Sequence, residues 1–414
     1  MDADEALVHL GAARRAAEGR AAWPGWDFDA HPVALGLASG TLLWGHPAPP
    51  DPFRKWGDVH MGPARADLAN AWEEIGGRVV ATVRLEGVGA LDAERLILHE
   101  AFHAFQQDLR PGSGVPFSRM PAYPEDDAAN NALARAENAA LAACLEGMAA
   151  PARCAADVVA LRRARHACLA PEWRGYEAAC EWSEGGAVLA EAGAHPDPVR
   201  TDILAGLRSC SRGGKDAAVA RFYHTGAALG LVCAQWRSDW RARWLDPGAF
   251  PFDLVETWSA EGPGADPAEV LRRFEVAALL ADEVAATVAR RAEDDRILAG
   301  LAPAVELDTS RAPASRVLYD PKRLRVLPGG RRLHLGAVQQ HGAGWSLEVG
   351  EDGGPVLEEA AAQRLVFRAP AGPLCPEGIG PLHLAGLHAQ RAEVRSTGQG
   401  LRIIIHPAAG EAWA

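Results

Sequence analysis

What this 414-residue sequence lacks narrows it first. It has no excess of basic residues: 42 Lys and Arg stand against 54 Asp and Glu, a formal charge of −12. A balance of that sign repels phosphate, so neither a nucleic acid nor an anionic membrane surface is an expected partner. No uninterrupted run of about 18 apolar residues occurs, so no membrane span is expected. The first twenty residues, MDADEALVHLGAARRAAEGR, are acidic at once and hold no apolar core of signal-peptide type, which makes a cytoplasmic location the expectation. The seven cysteines (Cys144, Cys154, Cys168, Cys180, Cys210, Cys233 and Cys375) are odd in number and form no C-x-x-C pair. That usage predicts reduced, mostly buried thiols rather than a disulfide framework or a zinc ribbon. There is no internal repeat and no low-complexity tract, and SRGGKD at 211–216 lacks the spacing of a phosphate-binding loop.

What is present fits a soluble globular chain of two or three domains, 48% hydrophobic and 23% charged. Residues 4–20 read as a short amphipathic helix, and the Trp/Pro/Gly-rich stretch from Trp23 to Pro52 reads as short strands and turns. Residues 65–75 look helical, and RVVATVRLEG (78–87) is a strand candidate. Asp92 can cap a helix that runs to about Leu109, where Pro111 and Gly112 stop it. From 127 to 300 an Ala-rich pattern broken by prolines and glycines predicts six to eight helices. Beyond about 303, short β-branched runs separated by Gly/Pro turns predict an all-β module.

The chemistry concentrates in LILHEAFHAFQQ, Leu96 to Gln107. On a helix, residues four apart share a face, so His99 and His103 can both reach one Zn2+. Glu100 lies about 100° round, beside the open coordination position, where a carboxylate can take a proton from bound water. Leu98, Phe102, Phe105 and Leu109 form an apolar stripe, and Leu96, Ile97, Ala101 and Ala104 cover much of the rest. Burying two imidazoles and a carboxylate costs several kcal/mol unless they are paired or coordinate a metal. The opposing reading is a chance H-E-x-x-H whose histidines are ordinary satisfied core residues.

Downstream, YEAACEWSEGGAVLAEAG places Glu177, Glu181, Glu184 and Glu191 on one helical face. A row of acids on a helix is ordinarily a solvated face, and that is the expectation for most of these four. Glu184 stands apart because Gly185 and Gly186 follow it, each costing about 1 kcal/mol relative to alanine in a helix. Such glycines are tolerated where another backbone comes close, as beneath the HEAFH helix.

WSEGGAVLAE resembles the W-x-x-E-G-x-A-x-x-x-E helix of the gluzincin-type H-E-x-x-H zinc metallopeptidases, the aminopeptidase-N-like and thermolysin-like group, one residue short between Trp182 and Glu184. The resemblance implies that Glu184 is the third zinc ligand and that Glu191 is structural or supports a ligand. RFYHTGAALG (221–230) resembles the same group's Y-x-x-G helix, which implies Tyr223 as oxyanion donor with Gly226 allowing close packing. An ordinary half-buried aromatic is the competing reading of Tyr223, and the adjacent His224 is a second candidate for the oxyanion. The chain departs from the family in the eighty residues between His103 and Glu184, a far longer spacer. An inserted helical pair at about 127–170 would account for it, and it leaves Glu137 and Glu146, with Glu177 and Glu181, as rival ligands. The H-x-x-G-x-x-H continuation of metzincins and the aminopeptidase G-x-M-E-N loop are absent.

The expectation is therefore an α+β fold with a zincin-like catalytic core, a mostly helical lower half and a C-terminal all-β module. Its divisions are 1–90 for the upper part of the core, 91–300 for the metal-binding catalytic region and 301–414 for the β-rich module. One Zn2+ per chain, a peptide or protein substrate, and a β-module partner of unknown kind complete it. A catalytically silent zincin-like scaffold and a zinc hydrolase of a non-peptide amide are the alternatives. The loop 111–126 is a candidate cleft rim, and Cys180, one turn before Glu184, is read as structural.

Overall fold

The structure, a computed structural model, describes all residues except 19–22, 66–67, 113, 116, 149, 210–219, 263, 302–303, 312–315, 320–322, 328–329, 343–344, 351–353, 369–377, 385–386, 398–399 and 407–414. SRGGKD and two cysteines, Cys210 and Cys375, lie outside the described residues. The chain is mixed α/β, with eleven α-helices and two sheets among the described residues. It divides into two compact units: 1–116 with 127–283, and 117–126 with 284–414. Thus 117–126, most of the expected cleft rim, belongs to the second unit, as does the last helix from Val284 onward.

The first unit opens with helix α1 (Ala3–Ala17), capped by the Asp2 carboxylate, which accepts from the Glu5 amide. Strands β1 (Val33–Leu37), β2 (Gly40–Trp44), β3 (Arg54–Trp56), β4 (Val59–Gly62), β5 (Ala71–Ile75) and β6 (Arg78–Arg84) form one sheet in the order β3-β4-β2-β1-β6-β5. Only β1 and β6 run parallel, and β1 is buried throughout, as expected of a continuous apolar central strand. The expected helix at 65–75 is not found among its described residues: 71–75 is β5, paired antiparallel with β6. Gly76 and Gly77, both at positive φ (57° and 75°), make the two-residue turn between them. That turn needs two left-handed residues, which glycine supplies without steric cost. Local helix-forming residues lost to the register that the Gly-Gly turn imposes.

Chain leaving β6 enters helix α2 (Ala90–Leu109), which carries HEAFH. Its N-cap is Gly89 rather than Asp92, which sits in the first turn where the helix dipole favours an acid. Helix α2 lies between two cores of the unit. Ile97, Leu98, Ala101 and Ala104 pack with α1 and the sheet, while Phe102 and Phe105 enter the helical core. From Ile97 to Gln106 every residue but the half-buried His103 is buried, so the polar groups of the motif are enclosed.

The helical layer continues with α3 (Ala128–Leu145), α4 (Pro151–Cys168), α5 (Pro171–Ala194), α6 (Pro196–Ser209), α7 (Ala220–Trp236), α8 (Trp240–Leu245), α9 (Pro251–Ser259), α10 (Pro267–Arg273) and α11 (Val276–Ala299). These nine exceed the expected six to eight, because α8 and α10 are too short to show a period. Five of them begin at a proline, where the missing N–H would be unsatisfied in any case. Helices α3 and α4 form a hairpin over nearly the 127–170 where a helical pair was expected. No helix among the described residues is long and apolar enough to cross a membrane.

In the second unit, strands β7 to β17, from Ala304 to Ile405, form a single mixed sheet. Only β17 (Gly400–Ile405) and β7 (Ala304–Asp308) pair parallel. Alternation is plain in Trp345–Val349, which buries Trp345, Leu347 and Val349 in the core with Leu307, Phe367 and Ile403. The C-terminal β region expected from the sequence is present.

Candidate metal centre

Three helices meet at the site. Helix α2 supplies His99 and His103, α5 supplies Glu184, and α7 brings Tyr223 beside them. Glycines let the backbones close. A Cβ on Gly185 would fall 2.5 Å from Gly226 Cα on α7, and one on Gly226 would fall 2.3 Å from the Glu181 carbonyl oxygen on α5. Gly186 turns the other way, to α2, where a Cβ would meet Gln106 Nε2 at 2.9 Å and Phe102 at 3.0 Å. The two consecutive glycines thus serve different neighbours; only Gly186 meets the HEAFH helix as the sequence suggested.

His99, His103 and Glu184 form a candidate metal-binding triad, the one such cluster among the described residues. His99 Nε2 and His103 Nε2 are 3.1 Å apart, and each lies 3.3 Å from Glu184 Oε2. Ligands bonded tetrahedrally to Zn2+ at 2.0–2.1 Å are separated by about 3.3 Å, so the triangle has the dimensions of one tetrahedral face.

The hydrogen-bond network sets the tautomers. His99 Nδ1 is 2.9 Å from Glu191 Oε1, and Glu191 is kept an acceptor by Arg95, whose Nε lies 2.9 Å from Oε2. His103 Nδ1 is 2.8 Å from Gln106 Oε1. Both imidazoles therefore donate through Nδ1, and both Nε2 lone pairs point at the Glu184 carboxylate. Three lone pairs converge within 3.3 Å with no donor among them. A cation satisfies all three at once; without one, a proton on an imidazole Nε2 must take its place, which leaves a buried imidazolium. The residues present fit a divalent metal.

Without a metal, the same triangle attracts protons. Burial pulls both imidazoles down, but hydrogen bonds to Glu184 and Glu191 raise His99 well above its ordinary value, and the Glu184 charge raises His103. Burial pushes Glu184 up, and the two histidines override it and hold the carboxyl far below its usual range. Glu100 is buried and its pKa is raised by that burial, with His99 and His103 opposing. The Tyr223 ring stacks on His99 with centroids 5.8 Å apart and planes at 9°, and burial with the Glu184 charge pushes its phenol up. It stays a donor.

No match appears when the chain is compared with protein-family models, with curated proteins or with solved structures. The chemistry rests on the geometry.

The other candidates are placed elsewhere. The row of acids on α5 is not a solvated face, since all four are buried. Glu177 lies in a closed ion cluster with Arg165 (2.5 Å) and Arg221 (2.9 Å), two turns before Glu184. Glu181 takes a bidentate contact from Arg162 at 2.7 and 2.9 Å and a hydrogen bond from Thr225. Glu137 is held by Arg162 and Arg165, and Glu146 pairs with Arg208. Each rival ligand already has a cation. His224 turns to α6, where its ring fills the space over Gly206, and burial lowers its pKa. Cys180 is buried, and burial raises its thiol well above the ordinary value. Sequence reading missed Gln106, Arg95 and the arginines of the ion cluster. Gln106 was the findable one, three residues after His103 on the same face.

Proposed function

We propose that the protein is a zinc-dependent metallopeptidase with a zincin-like core, hydrolysing amide bonds of a peptide or protein substrate. The observation that carries this reading is the convergence of three lone pairs, from His99, His103 and Glu184, on one point next to a buried glutamate that is not a ligand. A structural zinc site closes its fourth position with another protein ligand, whereas a hydrolytic one keeps it open beside a base. When bound, Zn2+ supplies a Lewis acid and an acidified water.

The chain's own residues supply the remainder. Glu100, on the same helix turn as His99, accepts the proton from the attacking water at its carboxylate and returns it to the leaving amine. Tyr223 donates its hydroxyl to the oxygen that gains negative charge on the substrate carbonyl. Glu191 holds the His99 ring by its Nδ1–H. The sheet followed by the H-E-x-x-H helix, and a later helix bearing the acid, follow the order of a gluzincin core, with the α3–α4 hairpin inserted between the histidines and the third ligand.

The test is metal content of purified protein together with turnover of a broad peptide library by wild type and Glu100→Gln. Stoichiometric Zn2+ with activity lost in Glu100→Gln is the expected result. Protein free of stoichiometric metal after growth in zinc sinks the reading. Stoichiometric metal with no peptide turned over favours a silent scaffold, or a non-peptide amide if acyl-amide substrates are cleaved instead.

A further inference from the structure

Resting on the triad being a metal centre, the geometry points to Gln106 as a positioning residue that locks His103 to the helix carrying the third ligand. We propose that its amide is held in a glycine cradle at Gly186 and sets how tightly the site binds metal.

The argument starts with the amide's hydrogen bonds. Gln106 is buried, 3% exposed. Its Nε2 donates to the carbonyl oxygens of Trp182 and Ser183, each at 3.1 Å, and its Oε1 accepts from His103 Nδ1 at 2.8 Å. The amide orientation is unambiguous on chemical grounds. Flipped, it would set an oxygen against two carbonyl oxygens and lose both donors. One side chain therefore grips the two residues that precede Glu184 and, at its other end, forces the Nδ1–H tautomer on His103. The Nε2 lone pair is then committed to the metal side, and its distance to Glu184 Oε2 is held from both ends. The Ser183 hydroxyl approaches the same His103 nitrogen only to 3.5 Å, too far to take over the role.

The cradle is a second, independent observation. The carbonyls of Trp182 and Ser183 sit inside α5, where the following turn normally satisfies them, and a side chain reaches them only if the helix surface is bare. Gly186 leaves it bare. A Cβ there would lie 2.9 Å from Gln106 Nε2, and the amide, as the far end of a flexible side chain, is the atom that must give way. Gly186→Ala should thus displace the amide without changing any hydrogen-bonding group. The sequence costs this glycine imposes on α5 have a use.

The experiment measures Co2+ and Zn2+ affinity by chelator competition, and the Co2+ visible spectrum, for wild type, Gln106→Leu, Gly186→Ala and Ser183→Ala. Melting of each metal-free protein is followed in parallel. Groups that orient a metal-bound imidazole are worth about 10- to 100-fold in metal affinity, so Gln106→Leu is expected to weaken binding by that factor and to shift the spectrum. Gly186→Ala should move both in the same direction, and Ser183→Ala neither. A packing role alone would lower the melting temperature and leave affinity and spectrum as they were. Wild-type affinity and spectrum in Gln106→Leu would overturn the positioning role and leave the metal centre standing. Should Gln106→Leu not fold, Gly186→Ala decides in the same terms. A wild-type chain that takes up neither ion stoichiometrically overturns the metal centre and this inference with it.

Discussion

Replacing Arg162 by methionine tests the ion cluster that joins the α3–α4 hairpin to α5 and α7, two of the three helices of the site. Arg162, Arg165 and Arg221 face Glu137, Glu177 and Glu181, three charges of each sign, all six side chains nearly or wholly buried. Arg162 alone spans Glu137, with Nε 2.6 Å from Oε1, and Glu181, held by two bonds. Methionine keeps the stem's packing and its contact with Phe252, over which the guanidinium now lies. The charge is lost, and two buried carboxylates are left with one cation fewer. Burial pushes the Glu137 carboxyl up, but Arg162 and Arg165 bring it from 4.5 down to about 2. At roughly 1.4 kcal/mol per pH unit, the arginines net of burial favour the ionised form by about 3 kcal/mol. Breaking a buried pair on one side costs about 3–5 kcal/mol, and that is the loss expected of Arg162→Met at pH 7. Urea unfolding followed by tryptophan fluorescence is the assay, since eleven of the thirteen tryptophans lie in the first unit. The sign of the pH dependence follows from a depressed carboxyl. Wild type holds the Glu137 contribution above the ordinary carboxyl range and loses it as pH falls toward 2. Carboxylates short of a cation in the variant regain stability by taking up protons, so the difference narrows from pH 7 to pH 4. The double variant Arg162→Met with Glu181→Leu should recover much of the loss, because apolar replacement of both partners removes the uncompensated charge. A single variant within about 1 kcal/mol of wild type at pH 7 would refute the cluster's account.

Two further outcomes follow from the same helices. Gly226→Ala puts a Cβ 2.3 Å from the Glu181 carbonyl oxygen, backbone against backbone, with no rotamer to relieve it. It should cost about 3 kcal/mol in the same unfolding assay, and a neutral result would show that α5 and α7 do not cross so closely. Tyr223→Phe should keep Zn2+ affinity and lower kcat on a cleaved peptide by about 10²- to 10³-fold, the worth of one oxyanion donor. Equal loss of metal binding would instead assign the tyrosine to holding His99.

Much of the site was legible in the chain, and the reasons it was incomplete are specific. HEAFH declares itself because helical spacing alone brings His99 and His103 to one face. Glu184 was marked by its glycines, whose cost in a helix needs a neighbour. The acids on α5 were misjudged because what buries them comes from elsewhere. Arg162 and Arg165 lie on α4 and Arg221 on α7, and nothing on the α5 face announces a cation 12 to 44 residues away. The 65–75 segment failed for a related reason: helix-compatible residues were overruled by a strand partner, although the Gly76-Gly77 turn was visible.

Local physics, then, was enough for the H-E-x-x-H pair, the C-terminal end of α2, the α3–α4 hairpin and the β-rich C-terminal region, because each depends on period and turns within one segment. Tertiary structure alone decided which of the five acids, Glu137, Glu146, Glu177, Glu181 and Glu184, faces the histidines, since that is a matter of which carboxylates other helices have already neutralised. Four find arginines. Glu184 finds two imidazoles whose tautomers are set by Glu191 and Gln106, and a lone-pair triangle of tetrahedral size is the result.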